Sequence, residues 1–514
     1  MKTILMSLLS RGKEHDSKLL LEDQIKPGKR SIMQKRIIES TQEIKIVFAN
    51  TISKRRYEIV NIIVTSANCA VFSARNAVVS SQITRIASPE KQELFSVSFA
   101  VDIPAFGIEV YTLKPTQQEN NIMSYLPVTS EEHPLKISND HIACVFNAST
   151  GMLQSVTVNN VETKMEAQFM IYQSDHGGAY IFGPKGEANR FKTEKLEILR
   201  VHGNLWSEVI IRSNGFVERY RLFNIEGIQG LGVHISTEVD IAAVGANNVD
   251  VIYRFNTDVN NDINFYTDQN GYQLMGRKTN SSHRIESNYY PMVTMMVIED
   301  SNTRLTLHSK QAHGVSSLTS GQFEVMLDRH TFRDDGRGLG QGVYDNVRVN
   351  SDFVLQLEHK KSKTQTQEER YAFSTKEAVL LNEFLQNTLQ IYSLVDSRIS
   401  LVNKIHPMKD SAFPCDTSIV GFRNIFNEDL QYKFTSLVLH RKSFQCGFQE
   451  NEKFVLKMCK ASKSSKLSIK SVFPKLKVKL YESSLSMLHD KGQLSAETDI
   501  SPQKNELRSF KIVI

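Results

Sequence analysis

The sequence predicts a mainly β protein: a short N-terminal helical remnant followed by consecutive antiparallel β-sandwich domains, the central one large. Three observations carry that expectation. Many short segments alternate apolar β-branched or aromatic residues with polar ones, the period that sends successive side chains to opposite faces of a sheet. Between about residues 130 and 360 these segments follow one another at short intervals with no long helix between them, as in an antiparallel sandwich. The chain has 514 residues, enough for roughly three domains, and 40% apolar and 23% charged residues are ordinary for a globular protein.

Taken in order, residues 1–43 are read as the remnant of a helical segment. MKTILMSLLSRGK has a short apolar run followed by Arg11, Lys13 and Glu14 without a small-residue cleavage site, so it reads as a helix rather than a signal. Leu19, Leu20 and Leu21 precede a Pro27-Gly28 break, and a second amphipathic segment runs from Ile32 to Ile38. Two such short helices bury little and need something to pack on. Residues 44–115 are predicted as a small β-sandwich from IKIVFAN, YEIVNIIVTS, LFSVSFAVDI and GIEVYTL, closed by the polar linker KPTQQENN. Residues 130–360 form the large sandwich. In it Val249, Val251, Tyr253 and Phe255 alternate with Asp250, Arg254 and Asn256, and Leu305 and Leu307 with Arg304, Thr306 and His308, predicting one core face and one wet face. Residues 374–514 are read as a linking helix and a C-terminal β-domain. Ser374 and Glu377 suggest a capping box before AVLLNEFLQN. Lys475, Lys477 and Lys479 alternate with Leu476, Val478 and Leu480 and read as the wet face of a strand.

The totals exclude some classes. A net charge of +6 over this length lacks the clustered basic footprint of a nucleic-acid binder. No apolar run reaches the length of a membrane span. Five cysteines do not make a disulfide framework; Cys415, Cys446 and Cys459 fall close enough for one bridge, and five reduced thiols are an equal alternative. Two glycosylation sequons are present, Asn147-Ala148-Ser149 and Asn280-Ser281-Ser282.

The candidate site is Asp328 to Asn346, DRHTFRDDGRGLGQGVYDN, in which Asp334, Asp335, Arg337 and Asp345 surround Gly336, Gly338, Gly340 and Gly342. Glycines this dense permit positive φ and close approach to a ligand, and strands on both sides make the stretch a loop on a sheet scaffold. Residue types alone leave open a charged β-connection with no ligand. The order is neither a dinucleotide fingerprint nor a phosphate loop. Among the fourteen histidines none is followed two places later by Asp, cysteine pairs at metal spacing are absent, and no Gly-x-Ser-x-Gly elbow occurs. Asp334 and Asp335 are a poor acid and nucleophile couple, because neighbours on an extended chain face opposite ways. A second candidate is GGAYIFGPKG, where Tyr180 stands among glycines and either meets a sugar or fills a sheet face.

Read together, these stretches resemble the C-terminal half of a glycoside hydrolase family 38 α-mannosidase of the Golgi α-mannosidase II type. The glycine loop carries most of the resemblance. It is supported by ERYRLFN (218–224), YTDQNGYQ (266–273), NYYPMVTMMVIED (288–300), RLTLHSKQAHGVSSLTSGQFEVMLDR (304–329), GGAYIFGP, PAFGIEVY, LHRKSF and the ending SFKIVI. The GLGQG continuation followed by Asp-Asn separates it from the lysosomal branch. The resemblance implies retaining hydrolysis of α-linked mannose on N-glycans, in the Golgi lumen, by an N-terminal α/β domain. That domain holds zinc through a His-x-Asp motif, a nucleophilic Asp and a later His. This sequence contains no His-x-Asp, so neither catalytic nor metal-ligating residues are assigned, and the chain alone is expected to be inactive. By resemblance, Arg337 matches the loop arginine whose carbonyl faces the mannose pocket and Tyr180 a tyrosine that contacts substrate, with Asp334, Asp335, Gly336, Gly338 and Gly340 supporting the loop. The alternatives are a non-catalytic carbohydrate-binding or partner-docking protein, and an incomplete gene model.

Overall fold

The computed structural model describes residues 9, 19–21, 23–24, 34–86, 92–118, 120–131, 134–191, 194–344, 347–362, 371–394, 401–408, 413–449, 451, 454–455, 458–459, 467–474 and 477–513. The central unit is two antiparallel sheets face to face. One has eleven strands, running from Leu126–Pro127 at one edge, through Val233–Val239 and Val349–His359 in the middle, to Tyr371–Ala372. The other has nine, including Leu135–Ser138 at one edge, Val161–Gln173, Val249–Thr257 and Gln322–His330 side by side, and Tyr290–Met292 at the other edge. Inward-facing residues of both sheets, among them Phe146, Tyr220, Tyr253, Phe255 and Phe323, form one continuous core. This is the sandwich that alternation predicts.

Two smaller units flank it. A seven-stranded and a five-stranded sheet enclose the cluster of Phe48, Phe99, Tyr111 and their aliphatic neighbours. Gln390–Leu394 and Lys404–Ile405, well past the large sandwich in sequence, pair with Ile44–Ala49 and Ile108–Pro115 in the seven-stranded sheet. The chain thus returns to complete its first sheet. A five-stranded sheet containing Thr417–Phe426, Tyr432–Arg441 and Leu507–Val513 builds the last unit around Leu439, Leu480 and Phe510. No helix among the described residues is long and apolar enough to cross a membrane.

Several expectations need correction. Leu19–Leu21 is a strand, paired with Gln390–Leu394, and Gln34–Lys35 and Ile37–Ile38 are strands too. An apolar triplet with an open sheet edge beside it gains ladder hydrogen bonds that a one-turn helix cannot offer. The helix expected in residues 1–13 apart from Leu9, the Pro27-Gly28 break, Asp345, Asn346, Lys475 and Leu476 lie outside the described residues. Lys477 and Lys479 are exposed, yet Lys479–Ser483 pairs on both sides and is no edge.

The expected wet faces are buried. Asp250, Arg254, Arg304, Thr306 and His308 are all buried. Arg254 pairs with Glu324 and Arg304 with Glu299 at 2.8 Å, so each charge carries its own partner out of water. The helix Lys376–Gln386 lies against Thr303–Ser309, where Asn382 reaches Nδ1 of His308 at 3.4 Å. The cap of that helix is Thr375, one residue later than expected: its Oγ1 accepts from the Ala378 N–H at 3.1 Å. Glu377 instead accepts from the backbone of Asn451. Cys415 and Cys459 form a buried disulfide, while Cys69, Cys144 and Cys446 are free.

Candidate functional site

The two glycine-rich stretches leave the nine-stranded sheet at the same end. Gln173 pairs with Val249, and Val249 with His330, so the loops after Val161–Gln173 and Gln322–His330 emerge one strand apart. Two inter-strand steps place their roots about 10 Å from each other. The loop after His330 closes on itself where Thr331 and Val343 exchange backbone hydrogen bonds of 2.8 Å. Gly342 must be glycine, since a Cβ there would stand 2.2 Å from the Thr331 carbonyl. Gly336, Gly338 and Gly340 have φ of 68°, 97° and 75°, which folds the tip back. In the other loop a Cβ on Gly178 would meet Asp335 at 2.7 Å. The two loops therefore touch through a glycine that only a bare Cα allows.

Asp335 is the junction. Its Oδ2 accepts from the N–H of Tyr180 at 2.6 Å and of Ile181 at 2.9 Å. Partial burial would raise the carboxyl. The backbone N–H groups of Tyr180, Ile181 and Arg337 outweigh that and hold it below the usual aspartate value. One carboxylate thus fastens the loop of Tyr180 to the glycine loop on which Arg337 stands. Arg329 repeats the connection from below: its guanidinium pairs with the buried Asp250 and donates to the carbonyls of Gly178 at 2.5 Å and Ile181 at 3.2 Å. Arg333 donates to the Asp175 carbonyl. Asn248 accepts from the Phe332 N–H through its side chain and from the Ser174 N–H through its carbonyl.

Beneath the Tyr180 loop, Phe182 packs edge-on against Tyr172 and Tyr289 at 5.4 and 4.8 Å. Both hydroxyls donate to the fully buried Glu324, which also pairs with Arg254. Above, the ring of Tyr180 is 66% exposed, and Phe332, Leu339 and Tyr344 project beside the glycine loop at 55%, 42% and 48%. Asp334 and Arg337 are exposed as well. The result is a rigid rim with an aromatic ring that can stack on a flat apolar face and main-chain groups that can take hydroxyls.

The rim is not equipped for acid–base work by the adjacent carboxylates. Asp335 stays ionised and is occupied by N–H donors, which removes it as a proton donor. It does not fit zinc either, which asks for four converging N, S or O ligands. Among the described residues no group of three His, Cys, Asp or Glu side chains could hold a metal ion. A large opening lies elsewhere, a cleft of about 970 Å³ between the small and large sandwiches. Several of its charges are already paired, Arg348 with Glu238 and Asp240 and Lys310 with Asp352, and among the described residues it gathers no Tyr180-like ring beside a glycine loop.

Sequence reasoning reached Tyr180, Arg337 and the loop glycines, and the structure brings them together. It missed Arg329, Asp250 and Asn248. Asp250 was read as wet because alternation cannot distinguish solvent from a buried ion pair; Arg329, at the end of a strand just before the loop, offered the one available signal.

Residues 137–337 match the glycosyl hydrolases family 38 C-terminal domain. Over 92% of its length the chain is 31% identical to alpha-mannosidase 2x of Mus musculus, covering 44% of that protein. It is 30% identical to alpha-mannosidase 2 of Homo sapiens over 94% of this chain, covering 44% of the relative. The chain spans less than half the length of these relatives. An alpha-mannosidase from Enterococcus faecalis V583 superposes with a TM-score of 0.59 at 11% identity, over 91% of this chain and 56% of that one, which is a likeness of fold.

Proposed function

The chain belongs to glycosyl hydrolase family 38 through its C-terminal domain, and from that premise we propose that it supplies one wall of an α-mannoside site. Tyr180 stacks on or hydrogen-bonds the sugar, and the loop around Arg337 offers main-chain acceptors to its hydroxyls. Asp334, Gly336, Gly338 and Gly340 shape that loop. The single observation supporting this reading is the Asp335 junction, which ties the Tyr180 loop to the glycine loop that carries Arg337. The nucleophile, the general acid and the zinc that the family uses have no counterpart among the residues at this rim, so residues 1–514 alone are proposed to bind mannosides without hydrolysing them. By family resemblance we propose that this work belongs to N-glycan processing in the Golgi lumen.

The experiment pairs two readouts on the same preparation. Glycan-array binding should select mannose-ended N-glycans and fall at least tenfold in Tyr180→Ala, while a chromogenic α-mannoside with added zinc should turn over at the blank rate. Turnover above blank would overturn the non-catalytic part. Unchanged glycan binding in Tyr180→Ala would overturn the assignment of the wall. A second reading, docking of another protein surface, has one observation in its favour: Phe332, Leu339 and Tyr344 make an exposed apolar group beside the glycine loop, with the Phe332 and Tyr344 rings 5.8 Å apart.

A further inference from the structure

Of the two sequons, one is presented for modification, and we propose that Asn280 carries an N-linked glycan. Asn280-Ser281-Ser282 forms the turn between the strand Gln273–Lys278 and the short 3-10 helix Ile285–Asn288. Asn280, Ser281 and Ser282 are all exposed, as are His283 and Arg284 after them. The backbone of Asn280 is fixed from one side: its N–H donates to Oδ1 of Asn288 at 2.8 Å and its carbonyl accepts from Nδ2 of Asn288 at 3.2 Å. Asn288 itself is buried. The side chain is thus held outward on an anchored stalk. Its Oδ1 accepts from the Ser282 N–H at 3.0 Å, which folds the sequon's hydroxyl residue back over the amide. Nδ2 lies 3.3 Å from Nε2 of His283 at the surface, a contact that leaves with little cost.

Asn147-Ala148-Ser149 shares the bond from the hydroxyl residue's N–H and an exposed serine but differs in the exposure of its first two residues. Ala148 is buried, Asn147 is half-buried, and its Oδ1 is taken by both the Ser149 and Thr150 N–H groups inside a tight hairpin that Gly151 closes at φ 72°. An independent feature agrees with transit through an oxidising compartment, where such transfer occurs: the buried Cys415–Cys459 bridge. The step needs a lipid pyrophosphate-linked oligosaccharide and a membrane transferase. Nδ2 of Asn280 attacks the first sugar's anomeric carbon; the N–C bond forms as the C–O bond to pyrophosphate breaks. The lipid pyrophosphate leaves with that electron pair, and one Nδ2 proton passes to the transferase.

The test is expression of the whole chain behind a secretion signal in eukaryotic cells. Peptide-N-glycosidase digestion in heavy-oxygen water is followed by peptide mass spectrometry, with a co-expressed glycoprotein confirming transfer in the same cells. Expected are heavy-oxygen aspartate at position 280 and a glycosidase-sensitive mobility step that vanishes in both Asn280→Gln and Ser282→Ala. Both substitutions change exposed side chains, so each variant keeps the fold that presents the sequon. An Asn280 peptide recovered unmodified while the control is glycosylated overturns the proposal.

Discussion

At Asp335 one carboxylate on the glycine loop accepts from the Tyr180 and Ile181 N–H groups of the other loop, so its charge does structural work. Because its pKa is depressed, the contribution is present above the unfolded value of 3.8 and is lost as pH falls below it. Asp335→Ala should therefore speed amide exchange at Tyr180 and Ile181 at least tenfold while barely moving the global melting temperature, and wild type should approach it only as pH falls through the depressed pKa of the folded state. Unchanged exchange at both amides would remove Asp335 from its place as junction. Glu218 has the opposite sign. Burial pushes its carboxyl up to about 7, only partly offset by the hydroxyls of Tyr253 and Tyr220, each donating at 2.8 Å. The folded state then keeps a proton that the unfolded chain releases above 4.5, so this site loses stability as pH rises from 4.5 through 7. Glu218→Gln keeps an acceptor for both tyrosines. It should be more stable than wild type at pH 8, by roughly 1–2 kcal/mol since water still reaches part of the side chain, and no more stable at pH 4. Denaturant melts at the two pH values decide it.

The linking helix shows what a sequence pattern can and cannot place. Ser374 and Glu377 looked like a capping box, but the cap fell to Thr375 because its hydroxyl also donates to the buried Glu358 at 2.6 Å. Two partners outbid one. Thr375→Ala should cost about 1–2 kcal/mol, and Thr375→Ser should recover most of it; equal losses in both variants would mean the methyl group, not the hydroxyl, matters. The same contrast runs through the molecule. Val249 to Phe255 were legible as a strand from alternation alone, and so were Leu305 and Leu307. What covered the opposite face was not, because the partners of Arg304 and His308, namely Glu299, Gln356 and Asn382, lie on other elements. The glycine loop was legible as a sharply folded connection because Gly336, Gly338 and Gly340 all take positive φ. The way it joins the Tyr180 loop was not, since that rests on the register of Gln173, Val249 and His330.

The three units are joined by junctions of different kinds. Trp206, the one tryptophan, is buried between the small and large sandwiches: Nε1 donates to Ser98 at 2.9 Å and the ring stacks under Arg221 at 4.0 Å. Its fluorescence therefore reports on that seam alone. The last unit is held differently. Lys54 of the first sheet unit is buried with its ammonium on the carbonyls of Pro414 and Thr417, and beside it Cys415 bonds Cys459 in a cluster shared with Leu380, Leu381 and Phe384 of the linking helix. Closing a segment of 44 residues is worth about 4 kcal/mol through the entropy of the unfolded chain. Multi-unit chains need not unfold in one step. Replacing both Cys415 and Cys459 by Ser should thus shift an early transition to lower denaturant, seen in amide exchange over Tyr432–Arg441 and Leu507–Val513. The Trp206 transition should stay where it is. If fluorescence and exchange move together by the same amount, the seam and the disulfide junction belong to one cooperative unit, and the separation of the last unit from the sandwiches is wrong.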